Sequence, residues 1–356
     1  MKDAKYLFAY LIPVLTGISI YLQDIWSFTT VIFVFGLVPM IEPLAPHSEE
    51  NLDEESRYEK LKSRFFDVLL YLNIPIVYGL VGFFIWTLLN HSLQGYEILG
   101  MTLSVGIMIG ANGINVAHEL GHRREKYERR MAKILLLPAL YMHFYIEHNR
   151  GHHKFVATAL DPASAAYGDN VYGFWFKSLV GSYRNAWHHE AKRMQKKGWK
   201  NLSLHNEMIW YQLIQVAYLM VIALVASVPI MLLVAIAGII GALLLETINY
   251  IEHYGLRRKK LDNGRFERVL PHHSWNANYE IGRILLYELT RHSDHHYIAS
   301  KKYQILDHHE GVPELPFGYP TSMLVALFPP LWFRIMHKEL KRQGFDNQED
   351  LVLKSS

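Results

Sequence analysis

The chain is 356 residues long, 51% hydrophobic and only 19% charged, below the roughly 25% charged residues of an ordinary soluble domain. It holds 20 histidines and no cysteine, which excludes a disulfide framework, an iron–sulfur cluster, a zinc ribbon, a cysteine nucleophile and a haem thiolate. Any metal must sit on His, Asp or Glu, and the net charge of +3 calls for no nucleic-acid partner.

A hydrocarbon core about 30 Å thick takes roughly 20 apolar residues per helical crossing. Six windows without Lys or Arg have about that length: 6–22, 27–44, 66–89, 98–117, 207–226 and 229–249. They read as three helical hairpins turning near 23–26, 91–96 and 227–229. The first window follows Lys2 and Lys5, but no small-x-small cleavage pattern comes after it, so it reads as a retained span. The three turns hold none of the 36 basic residues. Basic residues stay on the cytoplasmic side, so both termini and the regions 118–206 and 250–356 are expected there, facing the cytosol from a lipid bilayer. Two shorter apolar stretches are interrupted, 131–146 by Pro138 and 322–336 by Pro329 and Pro330; they are expected to lie at the interface or buried rather than to span. The expected fold is one all-α, polytopic membrane domain of six transmembrane helices with a cytoplasmic helical cap.

The fourth window runs into His118-Glu119-Leu120-Gly121-His122, and helix residues four apart share a face. Alone, this is the H-E-x-x-H pattern of zinc peptidases, with the glutamate as general base, and a lone histidine pair at this spacing is often a structural accident. Further boxes follow. Glu147-His148-Asn149-Arg150-Gly151-His152-His153 puts His148 and His152 on one helical face, with His153 turned away by about 100°. His292, His295 and His296, at i, i+3 and i+4, read as a single-face triad. His253 stands beside Glu252 at the cytoplasmic end of the sixth window. Nine imidazoles on one side of the membrane exceed the needs of one zinc. Four or five nitrogens on each of two metals fit better, with iron as the redox metal and copper or zinc still open by ligand type.

These four motifs, in this order, together with Pro271-His272-His273-Ser274-Trp275-Asn276, resemble the bacterial integral-membrane alkane 1-monooxygenases over nearly the whole chain. The histidine boxes alone are shared with membrane fatty-acid desaturases and hydroxylases. The resemblance implies a six-span enzyme of the bacterial inner membrane. Its two irons would sit on His118, His122, His148, His152, His153, His253, His292, His295 and His296. It would oxidise the terminal methyl of a linear alkane with dioxygen, drawing electrons from rubredoxin and its NADH-dependent reductase. Thr290 departs from the glutamine usual in the family's box, at a position that is not a ligand. Val34 lies near the position that gates chain length, and a small residue there implies tolerance of longer chains.

A metal-bound histidine nearly always donates its other N–H to an acceptor. Glu119, Glu147, Glu252, Asp161, Asp169 and Asp294 are candidates, Glu252 and Asp169 foremost. His272 and His273 read either as support for the ligands or as surface loop, and His188, His189, His308 and His309 as solvated. Glu246, at spanning depth, is a functional suspect. The seven basic residues between Lys177 and Lys200 are expected to face solvent or lipid headgroups, or to help dock an acidic electron carrier. Rival readings are a zinc peptidase needing only the first box, a desaturase, a metal transporter and a xylene-type methyl monooxygenase.

Overall fold

The computed structural model describes residues 2–345; Met1 and the last stretch of the expected cytoplasmic region, 346–356, lie outside the described residues. Among the described residues the regular structure is helical, with three isolated β-bridges and no extended strand.

Among the described residues six helices are long and apolar enough to cross a membrane: Asp3–Leu22, Asp24–Leu44, Phe65–Asn90, Gly95–Gly121, Glu207–Val225 and Val228–His253. The fourth and sixth run one turn past the ends of their apolar windows and carry His118 and His253 on that extra turn. Hydropathy stops at the first polar side chains, whereas the backbone ladder continues because those side chains are buried beneath the cap rather than solvated.

The hairpin ends show why the chain reverses where it does. Gln23 and Asp24 take positive φ values of 54° and 44°. The Asp24 amide donates to Glu97 Oε1 at 2.6 Å and Tyr96 donates to Asp24 Oδ1 at 2.7 Å, so the first two hairpin turns are tied together at one end. At the third turn, the Ser227 hydroxyl caps the Ile230 amide and Pro229 occupies the first helical turn, a position where its missing N–H costs nothing.

The fourth and sixth spans pack through glycines. A Cβ added at Gly106 would stand 2.6 Å from Ile240 Cγ2, and one at Gly241 would stand 2.9 Å from Ile109 Cγ2 and 3.0 Å from the Gly110 nitrogen. Small residues permit this backbone approach, and in lipid packing contacts replace the hydrophobic drive. The consequence is local: the ends that carry His118 and His253 are held close together.

The cap is organised around Trp275, Tyr250, Tyr254 and Trp332, all fully buried, with the Trp275 indole donating to the Tyr254 carbonyl at 2.8 Å. Pro329 and Pro330 start the helix Pro329–Arg342 after Tyr319–Ala326 has ended, so the proline pair separates two cap helices. Arg291, next to the last box, reaches the Leu306 and Glu50 carbonyls at 2.7 and 2.8 Å and ties the linker after the second span to the histidine region.

Candidate metal centre

The nine histidines converge in two groups. His118, His122, His148, His153 and His295 offer ligand atoms within 4.8 Å of one another, and so do His152, His253, His292 and His296. The partition differs from the face-by-face expectation at two boxes. His148–His152 is a π-helical turn, wider than an α-turn, so His148 and His153 share a group while His152 points to the other; such turns often mark functional sites. In the last box His292 and His296, one α-turn apart, go together and His295 faces the opposite group. The expected single-face triad is a bridge between the two clusters.

The ring nitrogens meet head to head. Nε2–Nε2 separations are 3.1 Å for His122–His148, 2.9 Å for His148–His153, 3.2 Å for His152–His296 and 3.2 Å for His253–His292. A neutral imidazole has one N–H, so His148 Nε2 cannot satisfy two neighbours that also present Nε2. Two nitrogens bound about 2.1 Å from one metal at a right angle stand about 3.0 Å apart, close to the spacings found. Nε2 of both His118 and His295 is buried without a hydrogen-bond partner, a vacancy costing about 1–3 kcal/mol each unless something takes the lone pair. Burial, with neighbouring imidazoles adding to it, holds His148, His153, His292, His295 and His296 well below the usual histidine range, and burial followed by His152 lowers His122 to about 3. Neutral imidazoles with free lone pairs are what a metal requires. The residues fit a metal in each group.

The model of the fatty acid desaturase family matches residues 94–314. Alkane 1-monooxygenase 2 of Pseudomonas aeruginosa is 36% identical over 318 residues, covering 89% of this chain and 84% of that protein. Alkane 1-monooxygenase 1 of Alcanivorax borkumensis is 39% identical over 313 residues, covering 87% and 76%. The chain belongs to the alkane 1-monooxygenase family. The hydroxylase component of a xylene/toluene monooxygenase from Pseudomonas putida is also similar, at 30% identity over 342 residues and 92% and 87% coverage. The helical fold, the spans and the family agree on a multi-pass membrane protein with a histidine-built metal site.

The acidic candidates separate by what they touch. Asp161 lies 2.9 Å from His152 Nδ1 and accepts from Ser164 Oγ at 2.5 Å; burial raises its pKa, but His152 and the two hydrogen bonds outweigh it and hold the carboxyl below its usual range. Glu252 Oε2 is 3.1 Å from His292 Nε2, the nitrogen that also faces His253, while its Oε1 accepts from Tyr319 at 2.6 Å. This carboxylate therefore stands among the converging nitrogens, not behind a ring as expected. Asp169 is a correction: it pairs with Lys177 at 2.9 Å and accepts the Ala166 amide, because the tight loop before the helix Val171–Lys196 turns it away from the boxes. Asp294 binds His309, Lys301 and the Asp307 amide, so His309 is engaged rather than solvated. Glu119 accepts from Arg123 at 2.9 Å and from the Tyr303 amide. Both bonds end on Oε1, and Oε2 is buried without a partner; the pairing with Arg123 gives this carboxylate a structural role. His273 is 1% exposed and bonded to Glu267 and the Leu270 amide, bracing the loop beneath the cap. Glu246 is held by Tyr141 at 2.5 Å and by Asn249.

An apolar cavity lies between the first, second, fourth and sixth spans, bounded by Ile12, Val34, Phe35, Ile107 and Leu244 and extending to Tyr319. A smaller one adjoins His118, His148 and His292. The two share Asn115, Leu245, Ile248, Leu286 and Tyr319 as walls, so the apolar space between the spans directly adjoins the space beside the histidines. Val34 lines the space between the spans, in the π-helical turn Phe33–Leu37. Sequence reasoning missed Asn115, Asn249 and Tyr319. The two asparagines stand three and four residues before His118 and His253, on the same helical faces, a signal that was present; nothing local marks Tyr319.

Proposed function

We propose that this chain hydroxylates the terminal methyl of medium- to long-chain n-alkanes to 1-alkanols at two irons. His118, His122, His148, His153 and His295 would hold one, and His152, His253, His292 and His296, with Glu252 beside them, the other. The observation that carries the reading is an apolar path of two adjoining cavities, one between the spans and one at His118, His148 and His292, with five wall residues in common. An alkane dissolves in the bilayer, so its path to the metals should run between the spans, as this one does.

Iron, when bound, supplies the redox chemistry that activates dioxygen and attacks an unactivated C–H bond. Leu245, Ile248 and Leu286 form a sleeve without hydrogen-bonding groups, which excludes water and lets the chain advance end-on. Asn115 and Tyr319 stand where that sleeve meets the histidines. Asp161 accepts the hydrogen bond from His152 Nδ1–H and so fixes that ring's tautomer, and Tyr319 steadies the Glu252 carboxylate. One oxygen atom enters the C–H bond and the other leaves as water, consuming two electrons and two protons. These 356 residues hold no cysteine for an iron–sulfur relay, and the electron donor in this reading is rubredoxin, reduced by its NADH-dependent reductase. The enzyme lies in the bacterial inner membrane with both termini and regions 118–206 and 250–356 in the cytoplasm.

The test is turnover of the iron-loaded protein in lipid with rubredoxin, reductase, NADH and 18O-labelled dioxygen on mixed alkanes and xylenes, with products identified by mass spectrometry. Labelled 1-alkanol as the main product supports the reading. An unlabelled alkene refutes it in favour of desaturation, and labelled methylbenzyl alcohol in clear excess favours the aromatic-methyl chemistry named for the relative at 30% identity.

A further inference from the structure

Of the nine histidines, His122 and His153 alone are incompletely buried. Their ring centroids are 4.4 Å apart, and the His153 ring stacks at 4.4 Å on His296 of the other group. The open edge therefore belongs to one cluster and touches the second. At this edge three boxes run straight into solvent. Arg124 is exposed two residues after His122, Lys154 is exposed beside His153, and Tyr297 and Ile298, just after His296, are 48% and 45% exposed. The substrate cavity borders His118, His148 and His292 instead. Electron tunnelling falls steeply with distance, so a donor protein has to set its centre against the thinnest wall, which is this one.

The charge around the edge is predominantly positive: the segment 257–268 holds six basic residues against Asp262 and Glu267. The segment 257–268 is clamped by a Lys260–Phe266 bridge and fixed to the second box by Arg258, which donates to the Lys154 carbonyl at 2.9 Å. Its Lys259, Lys260, Arg265 and Arg268 are exposed and, like Arg124 and Lys154, have no acidic side-chain partner among the described residues. The basic run 177–200 differs in its surroundings. Lys177 pairs with Asp169 and Arg193 with Glu190, while Arg184, Lys192, Lys196, Lys197 and Lys200 are as exposed as the hairpin's cations; the end of the run adjoins Trp199, Leu202 and Leu204, which are 39%, 84% and 69% exposed, the mixture of a membrane interface.

We infer that an acidic one-electron carrier protein docks over the His122–His153 edge, on Arg124, Lys154 and the 257–268 hairpin, and not on the 177–200 run. This rests on the reading of the enzyme as a carrier-fed oxygenase and assigns the surface that feeds it. Charges at the rim of such a contact set encounter rate and salt dependence, and they do not alter chemistry inside the cap.

The experiment compares Lys154→Glu/Lys259→Glu/Lys260→Glu, and separately Arg265→Glu/Arg268→Glu, with Lys196→Glu/Lys197→Glu in iron-loaded enzyme. Electrons come either from reduced rubredoxin or from dithionite through a small neutral mediator. Both edge variants are expected to raise the apparent KM for rubredoxin on the order of 10-fold at low ionic strength, with the difference shrinking as salt rises. Mediator-driven turnover should be unchanged, which also certifies folding. The 196/197 variant should match wild type. A KM effect confined to the 196/197 variant, or none in any variant, overturns the docking site and leaves the hydroxylase standing. Wild-type turnover with the mediator but never with rubredoxin would instead remove the carrier-fed reading itself.

Discussion

Asp161→Asn tests how the chain tunes one metal and not the other. The Asp161 carboxylate is 2% exposed, lies 2.9 Å from His152 Nδ1, accepts from Ser164 at 2.5 Å and from the Ala163 amide at 3.1 Å. His152 belongs to the group of four and has its Nε2 3.2 Å from that of His296. Asparagine keeps one acceptor for the imidazole but removes the charge that makes the ring basic. Loss of such a partner costs about 10–100-fold in metal affinity or activity, equivalent to about 1.4–2.8 kcal/mol. Asp161→Ala, which also removes the acceptor, should lie at the upper end. Because Asp161 touches no member of the group of five, the expected outcome is selective. After graded chelation, iron measured by mass spectrometry should fall from two per chain toward one, with hydroxylation falling in parallel. Asp169→Asn, whose carboxylate serves Lys177, should keep both metals. Equal loss from both groups, or equal sensitivity of the Asp169 variant, would refute the reasoning.

Three other substitutions probe the neighbouring features. Val34→Trp puts an indole into the apolar route and should shorten the longest alkane accepted without changing turnover on the shortest; an unchanged product range would remove Val34 from the path. Glu119→Gln breaks the buried pair with Arg123, leaving Asp67 as that guanidinium's remaining acid, and should lower stability by about 3 kcal/mol while iron-replete enzyme keeps its turnover. Abolished turnover in folded, iron-loaded protein would identify Glu119 as a reacting base. Tyr319→Phe strips the donor from Glu252 Oε1, a loss of about 1–3 kcal/mol for a buried acceptor; thermal unfolding should report it, and an unchanged midpoint would mean that Glu252 draws nothing from that hydroxyl.

Much of this was legible in the chain before any coordinates. Apolar windows free of Lys and Arg mark where six helices cross, because lipid forbids unpaired backbone groups and rewards length. The order of the boxes points to the nine histidines because each box sets its imidazoles within about one helical turn of one another. Four or five nitrogens per metal agrees with the groups of five and four, but which histidine joins which group did not follow from the helix faces, for two physical reasons. A π-turn at His148–His152 shifts the phase of His153 relative to an α-helix, and in the last box the helix lies between the clusters, so neighbours three apart face opposite ways. Side-chain partners were the least legible. Asp161 and Asp169 are eight residues apart in one loop, and nothing local says which turns inward. Tyr319 meets Glu252 across 67 residues, a contact that only the packing of the cap on the sixth span creates. The basic run 177–200 drew attention by its density, whereas the hairpin 257–268 gains meaning only from lying against the least buried histidines.

The partition of nine imidazoles between two metals supports everything else in the account. Its most direct test is Mössbauer spectroscopy on 57Fe-loaded enzyme in lipid, with total iron measured on the same sample. Two irons per chain in two distinct nitrogen-rich environments, one of them lost selectively in His292→Ala and the other in His118→Ala, is the predicted result. A single iron, or two environments that every substitution abolishes together, would contradict the division of the site into groups of five and four.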